Sequence, residues 1–182
     1  MISTVNRRML MIAALVLAAD QAAKNLVLQH LGPGENRIVI NGFFRLVNWG
    51  NTGAAWSLFH DSNDVLACVS AVALAGLIFW RRHFHIETLM GQISLGLICG
   101  GIAGNLVDRI TPDRHKVIDF LRFYLITHSG REAGFPAFNV ADSAICVGVG
   151  LLILISIRRD TAAAGAAPGA GVETSEAADG HR

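Results

Sequence analysis

Gly100-Gly101-Ile102-Ala103-Gly104-Asn105-Leu106-Val107-Asp108-Arg109, then Val117-Ile118-Asp119-Phe120, then Phe138-Asn139-Val140-Ala141-Asp142: these three pieces decide how the chain is read. The first closes an apolar run, the second lies in a polar excursion, and the third opens the next apolar run. Acids, amides and an arginine therefore crowd the mouths of two hydrophobic segments. An ionisable group costs about 2.5–3.5 kcal/mol at a bilayer centre on insertion scales and less near its edge. A cluster of them at that depth is a functional hypothesis by default, and Asp119 and Asp142 stand at its centre.

The rest of the chain agrees that the solvent is lipid. At 182 residues it suits one domain, and 52% hydrophobic against 16% charged residues, with mean hydropathy +0.45, is too apolar for an ordinary soluble domain. A net charge of +1 leaves no basic stripe for nucleic acid. Cys68, Cys99 and Cys146 each lie in an apolar run without CxxC spacing. They read as buried small apolar residues, with no metal site and no disulfide framework.

Four apolar runs are expected to span as helices: Met9 to Leu28, Val65 to Trp80, Thr88 to Val107, and Val140 to Ile157. The first has the basic start and Ala-rich stretch of a cleavable signal peptide, but three further runs follow and it reads as retained. In the third, Gly96, Gly100 and Gly104 make a smooth stripe for close helix approach, with Gly101, Asn105 and Arg109 on a neighbouring face. Asp20 and Lys24, four apart, share a helical face. They form either a plain interfacial ion pair or a brace for a polar site.

Between the runs lie two polar excursions. Ile38-Val39-Ile40, Asn41-Gly42 and Phe43 to Val47 predict a hairpin, because Asn-Gly suits a left-handed turn. A breaker-rich loop holding Asn51 follows, then Ala54 to Phe59, too short to span and expected to lie at the interface as a helix with Trp56. Asn51 is a turn residue or a ligand for substrate backbone. The second excursion, 108 to 139, centres on Val117 to Leu121. Beyond Asp160 the Ala/Gly-rich composition predicts a disordered tail over 161–182, leaving residues 1–160 as the membrane domain.

Four spans put both termini on one side. The doublets Arg7-Arg8, Arg81-Arg82 and Arg158-Arg159 abut that face, which the positive-inside rule makes cytoplasmic. The two excursions hold seven Lys/Arg against six in the doublets, but they are spread through long segments that also carry acids. Asp20, Asn51, Asn105, Asp108, Arg109, Asp119, Asn139 and Asp142 then gather at the outer face.

Taken singly, these residues have bland readings. Asn139 and Asp142 suit a helix cap, Asp108-Arg109 an interfacial helix end, and Asp119 a solvated loop. Together they suggest two facing carboxylates sharing a proton, one acting as base on water while the other donates to a carbonyl oxygen. No Ser/His or Cys/His pair and no metal-ligand spacing occupies that face. Peptide hydrolysis without a cofactor fits this set. A small four-helix proton- or cation-coupled transporter is the alternative, although transporter sites lie near the bilayer midplane.

Asp20-Gln21-Ala22-Ala23-Lys24, Asn51-Thr52-Gly53-Ala54-Ala55 and the three pieces quoted at the outset occur in one order from residue 20 to residue 142. This set resembles the motifs of lipoprotein signal peptidase, signal peptidase II. The resemblance implies an all-α membrane protein of four transmembrane helices, with a small extracytoplasmic β element and an interfacial helix. It implies a multi-pass aspartyl endopeptidase of the bacterial inner membrane that cuts diacylglyceryl-modified prolipoproteins before the lipidated cysteine. The enzyme would work as a monomer at the outer face, among membrane lipid, and would be open to globomycin-type inhibitors. On that resemblance Asp119 and Asp142 are the catalytic pair. Asp20, Lys24, Asn51, Asn105, Arg109 and Asn139 orient the pair or hold substrate, and Asp108 only supports. Trp56 departs from the family, which more often has Phe after the paired alanines, and bears on substrate fit.

Overall fold

A computed structural model describes residues 4–53 and 62–165. The expected interfacial helix with Trp56, and residues 166–182 of the expected tail, lie outside the described residues; residues 161–165 of that tail, expected to be disordered, instead continue α4. The elements are α1 (Thr4–His30), β1 (Asn36–Ile40), β2 (Phe44–Asn51), α2 (Asn63–Phe79), a single 3-10 turn (Arg81–Phe84), α3 (Leu89–Ile110), β3 (Val117–Ile126), β4 (Glu132–Gly134) and α4 (Val140–Gly165).

Three of the helices, over Asn6–His30, Leu89–Ile110 and Val140–Arg159, are long and apolar enough to cross a membrane. The fourth expected span, α2, is apolar but shorter, with 17 residues. α3 is the central post: 56% of its apolar window is buried inside the protein, against 17% in α1 and in α4. Its glycines explain the close contact. A Cβ on Gly100 would lie 2.7 Å from the Ala13 carbonyl oxygen of α1, and one on Gly101 would lie 2.4 Å from the Ala141 oxygen of α4. The expected stripe thus serves α1, and the neighbouring face serves α4.

The outer surfaces of the helices are apolar, as lipid requires: Leu15, Val72 and Phe79 are 67, 72 and 75% exposed. The expectation that all three cysteines are buried is corrected here. Cys99 is buried, whereas Cys68 and Cys146 are exposed on α2 and α4. An apolar run in a membrane protein has a lipid side as well as a core side, so hydrophobicity alone does not imply burial.

The polar excursions fold together into one antiparallel sheet of order β1-β2-β3-β4. The hairpin forms with Gly42 at φ 74°, although Phe43 belongs to the turn and β2 starts at Phe44. β2 pairs with β3 across some seventy residues of sequence, setting Phe44 opposite Phe123, Trp49 opposite Asp119 and Asn51 opposite Val117. An extra residue between Leu46 and Trp49 shifts the register. Asn48, at that irregularity, turns inward, and its Nδ2 donates to the Leu31 carbonyl at 2.8 Å. The bulge therefore anchors the sheet to the end of α1.

The basic doublets meet at the opposite end of the bundle. Arg81 Nε donates to Asn6 Oδ1 at 3.4 Å, and Arg159 bonds to His85. The ends of α1, α2 and α4 are thereby tied together.

Candidate active site

Three elements deliver the two carboxylates and the first of their holders. β3 carries Asp119, which is 4% exposed; the first turn of α4 carries Asp142; α3 carries Asn105; and Asn139 starts α4. The backbone brings the last of these to β3. Phe138 exchanges hydrogen bonds with Leu121, at 3.0 Å from its N–H and 2.9 Å to its carbonyl, so Asn139 emerges beside Asp119.

Asn139 then serves both acids. Its Oδ1 accepts from Asp142 N–H at 2.9 Å and its own N–H donates to Asp142 Oδ2 at 3.2 Å, a reciprocal helix cap. Its Nδ2 donates to Asp119 Oδ1 at 2.8 Å. The cap foreseen from the sequence is real, and the same residue holds the second carboxylate. Asn51, diagonal to Asp119 across the β2–β3 ladder, donates from Nδ2 to Asp119 Oδ2 at 3.0 Å. Asn105 Nδ2 donates to Asp142 Oδ1 at 2.7 Å.

An amide can donate in the required direction only if its oxygen is held elsewhere. Lys24 does this for Asn105: its ammonium donates to Asn105 Oδ1 at 3.0 Å and pairs with Asp20 at 2.8 Å and Asp108 at 2.6 Å. All three charged side chains are fully buried. Asp20 Oδ1 also accepts from the Ala141 N–H at 3.0 Å, stabilising the start of α4. The two readings left open for Asp20 and Lys24 therefore merge. They are an ion pair, and the pair braces the polar site.

Seven of the eight expected site residues thus fall in one network of direct contacts. Arg109 stands apart from the carboxylates. Its Nη1 donates to Asn63 Oδ1 at 3.0 Å and its Nη2 to the Gly53 carbonyl at 2.9 Å. Gly53 N–H in turn donates to Asn51 Oδ1 at 2.9 Å, so Arg109 positions Asn51 from behind.

Gln21, Asn63 and Arg114 were not singled out in the sequence. Gln21 donates to Asp108 Oδ1 at 3.1 Å and to the Gly104 carbonyl at 3.1 Å. Arg114 pairs with Asp108 at 2.7 Å and also bonds to Asn25. Asn63 returns a bond to the Arg109 carbonyl at 3.0 Å. Gln21 sits between the two charged residues of its motif, a signal that was available. Asn63 and Arg114 lie outside every motif. Asp108, read as a supporting residue, is the fully buried counterion of both Lys24 and Arg114.

The environment holds a proton near neutrality. Burial, followed by the negative charge of Asp142, pushes the Asp119 carboxyl up from 3.8 to about 7. The hydrogen bonds from Asn51 and Asn139 and the charge of Lys24 oppose that rise. A cavity of about 300 Å³ opens nearby, between Leu28, Pro33, Trp49 and Lys116, but neither carboxylate lines it.

Apolar helices with paired carboxylates wired through amides at their mouth define the class, a helical membrane protein built around an acid pair. Comparison with known proteins places the chain more closely. The family model described as signal peptidase (SPase) II matches residues 12–158. A lipoprotein signal peptidase of Symbiobacterium thermophilum is 37% identical over 145 residues, covering 80% of this chain and 91% of that protein. That of Bacillus subtilis is 34% identical, covering 79% and 89%. A solved bacterial membrane enzyme, obtained by the in meso method at 2.3 Å resolution, superposes with a TM-score of 0.68 at 28% identity, over 84% of this chain and 88% of that one. The chain belongs to the signal peptidase II family. These relatives are peptidases, and the transporter alternative has no support among them.

Proposed function

We propose that the chain is an aspartyl endopeptidase of lipoprotein processing in which Asp119 and Asp142 do the chemistry. Family membership carries the protease activity and the removal of signal peptides from lipoproteins. The observation that carries the residue assignment is Asn139, whose backbone and side-chain N–H groups hold one carboxylate each. Two acids so placed share one proton as a pair. The ionised member takes a proton from a water attacking the scissile carbonyl. The protonated member donates to the carbonyl oxygen, and then the proton passes to the leaving amine. Asn51 and Asn105 fix the carboxylate planes, Lys24 and Asp20 fix Asn105 and the start of α4, and Arg109 fixes the loop at Gly53.

The finer substrate reading follows the family resemblance: the preferred substrate carries a diacylglyceryl group on the cysteine that follows the cut. Membrane depth favours such a substrate, since each buried acyl CH₂ adds about 0.8 kcal/mol to membrane affinity. A globomycin-type cyclic peptide occupying the same mouth would block cleavage.

The same reading extends to the setting. α2, at 17 residues, is long enough to act as the fourth span if the bilayer thins or the helix ends snorkel. Both termini then face the cytoplasm with the basic doublets, and the sheet and acids face outward in the bacterial inner membrane. Residues 1–160 form one peptidase domain acting as a monomer. The segment 161–182, whose first residues continue α4, extends on the cytoplasmic side.

The test uses purified full-length protein and one prolipoprotein with and without its diacylglyceryl group, in matched detergent, with initial rates read by mass spectrometry. Cleavage before the modified cysteine, fast with the lipid and slow without it, is expected. Equal rates would remove the lipid requirement, and cleavage elsewhere would remove the substrate assignment.

A further inference from the structure

We propose that Arg45 and Arg122 form an anion site on the reverse face of the sheet that takes a phosphate group, either of a phospholipid headgroup or of free phosphate. Arg122 lies three residues beyond Asp119 on β3, so strand alternation puts it on the face opposite the acid pair. Arg45 and Arg122 are directly opposed in the β2–β3 register. Like charges in that relation repel unless an anion separates them.

Among the described residues, one carboxylate serves the two. Glu132 pairs with Arg45, and lies 3.7 Å from Arg122. Among the described residues the Arg122 side chain makes no hydrogen bond, and the Nε atoms of both arginines are buried without an acceptor. Both guanidiniums are nevertheless held in place by aromatic faces: Arg45 sits 4.0 Å from the Tyr124 ring centroid, and Arg122 sits 4.5 Å from that of Trp49. Their side chains are 12 and 21% exposed, so the charges are largely withdrawn from water while an edge stays open. A guanidinium that is fixed and short of acceptors is suited to a bidentate oxyanion, and phosphate matches its fork.

The sheet's surroundings bring phosphate to it. Ile38, Val39 and Ile40 of β1 and Leu125 and Ile126 of β3 are all more than half exposed. An apolar sheet rim beside stacked Trp and Tyr is the composition of a membrane interface, the layer where headgroup phosphates lie. This step rests on the reading that the sheet faces the outer surface of the bilayer.

Full-length protein in detergent would be titrated by calorimetry with short-chain phosphatidylglycerol, with inorganic phosphate and with short-chain diacylglycerol. Saturable binding of phosphatidylglycerol but not diacylglycerol is expected. Arg122→Gln should weaken it at least tenfold, Arg122→Lys should weaken it less, and Glu132→Gln should strengthen it severalfold by freeing Arg45. Displacement by inorganic phosphate would support the site with free phosphate as a sufficient ligand. Binding of the lipid alone would support it with the headgroup as the source. No binding by wild type, or equal binding by Arg122→Gln, would overturn it. Prolipoprotein cleavage in the same detergent should be unchanged in Arg122→Gln, which shows that the variant is folded. Loss of cleavage in wild type would instead sink the proposed function and leave the binding result standing.

Discussion

The same helices behave differently at their two ends. At the basic-doublet end, α1 and α3 meet through Met9, Leu95 and Cys99, with Ile86 beside them, and the Oε1 of the buried Gln92 has no partner among the described residues. At the other end, Asp20, Lys24, Asp108 and Asn139 are fully buried, and each is bonded to at least two others or to backbone. Apolar packing sets how closely helices approach and tolerates a gap. The polar end fixes direction, because a hydrogen bond is lost when its angle fails. The proposed chemistry lies where direction is fixed.

The largest effect should come from the acids themselves. Asp119→Asn and Asp142→Asn are each expected to lower cleavage at least about 10³-fold with helix content unchanged, because an amide keeps the shape but cannot exchange the proton. Near-normal turnover in either variant, measured by initial rate, would break the assignment. Next, Lys24→Met should destabilise the folded protein by about 3–5 kcal/mol, since it leaves Asp20 and Asp108 buried without their shared cation. Asp108→Asn should also be harmful, although the sequence marks Asp108 only as supporting, because it is the buried counterion of both Lys24 and Arg114. A melting temperature for Lys24→Met within 2 °C of wild type (roughly 1 kcal/mol or less) would show that the network does not carry the fold.

A third test sets a glycine of α3 packed against the polar network beside an open glycine of α4. A Cβ at Gly104 would meet Asp20 Oδ2 at 2.6 Å, whereas one at Gly150 meets nothing within 4 Å. Gly104→Ala should therefore reduce cleavage about tenfold or more by turning Asp20, and Gly150→Ala should leave rate and stability alone. Equal rates in the two variants would erase the contrast between the ends.

The last test is a pH slope, read as a difference between two variants. Below 3.8 Asp119 is protonated both folded and unfolded; between 3.8 and about 7 the unfolded chain gives up a proton that the folded protein keeps. Stability falls as pH rises through that window and is level above it, by at most about 4 kcal/mol. Thermal melts of wild type and Asp119→Asn in detergent from pH 4 to 8 should diverge, with the variant gaining relative to wild type. Parallel curves would mean that the carboxyl is ionised throughout.

Much of the site was legible because its motifs are local. Asn139 and Asp142 lie three apart as a cap, Asp20 and Lys24 four apart on a helix, and Asn41-Gly42 marks a turn. What stayed hidden depends on pairing distant in sequence. Nothing near Val117 announces that it will lie opposite Asn51, so a loop reading of Asp119 was equally open. Arg114 and Asn63 acquire partners only once α1, α2 and α3 are assembled. The exposed Cys68 and Cys146 were misread for a related reason. A sequence records that a segment is apolar, but not which side of it meets lipid.

Asn139 also imposes an order on biosynthesis. The residue that joins the two acids begins the last helix, and the acid that steadies that helix, Asp20, lies in the first. A growing chain that has not yet produced α4 holds Asp119 but has neither Asp142 nor the amide that would orient it. With Asp119 and Asp142 in the proposed catalytic roles, a nascent chain would be inert as a hydrolase until α4 docks, and docking of that helix would act as its activation step.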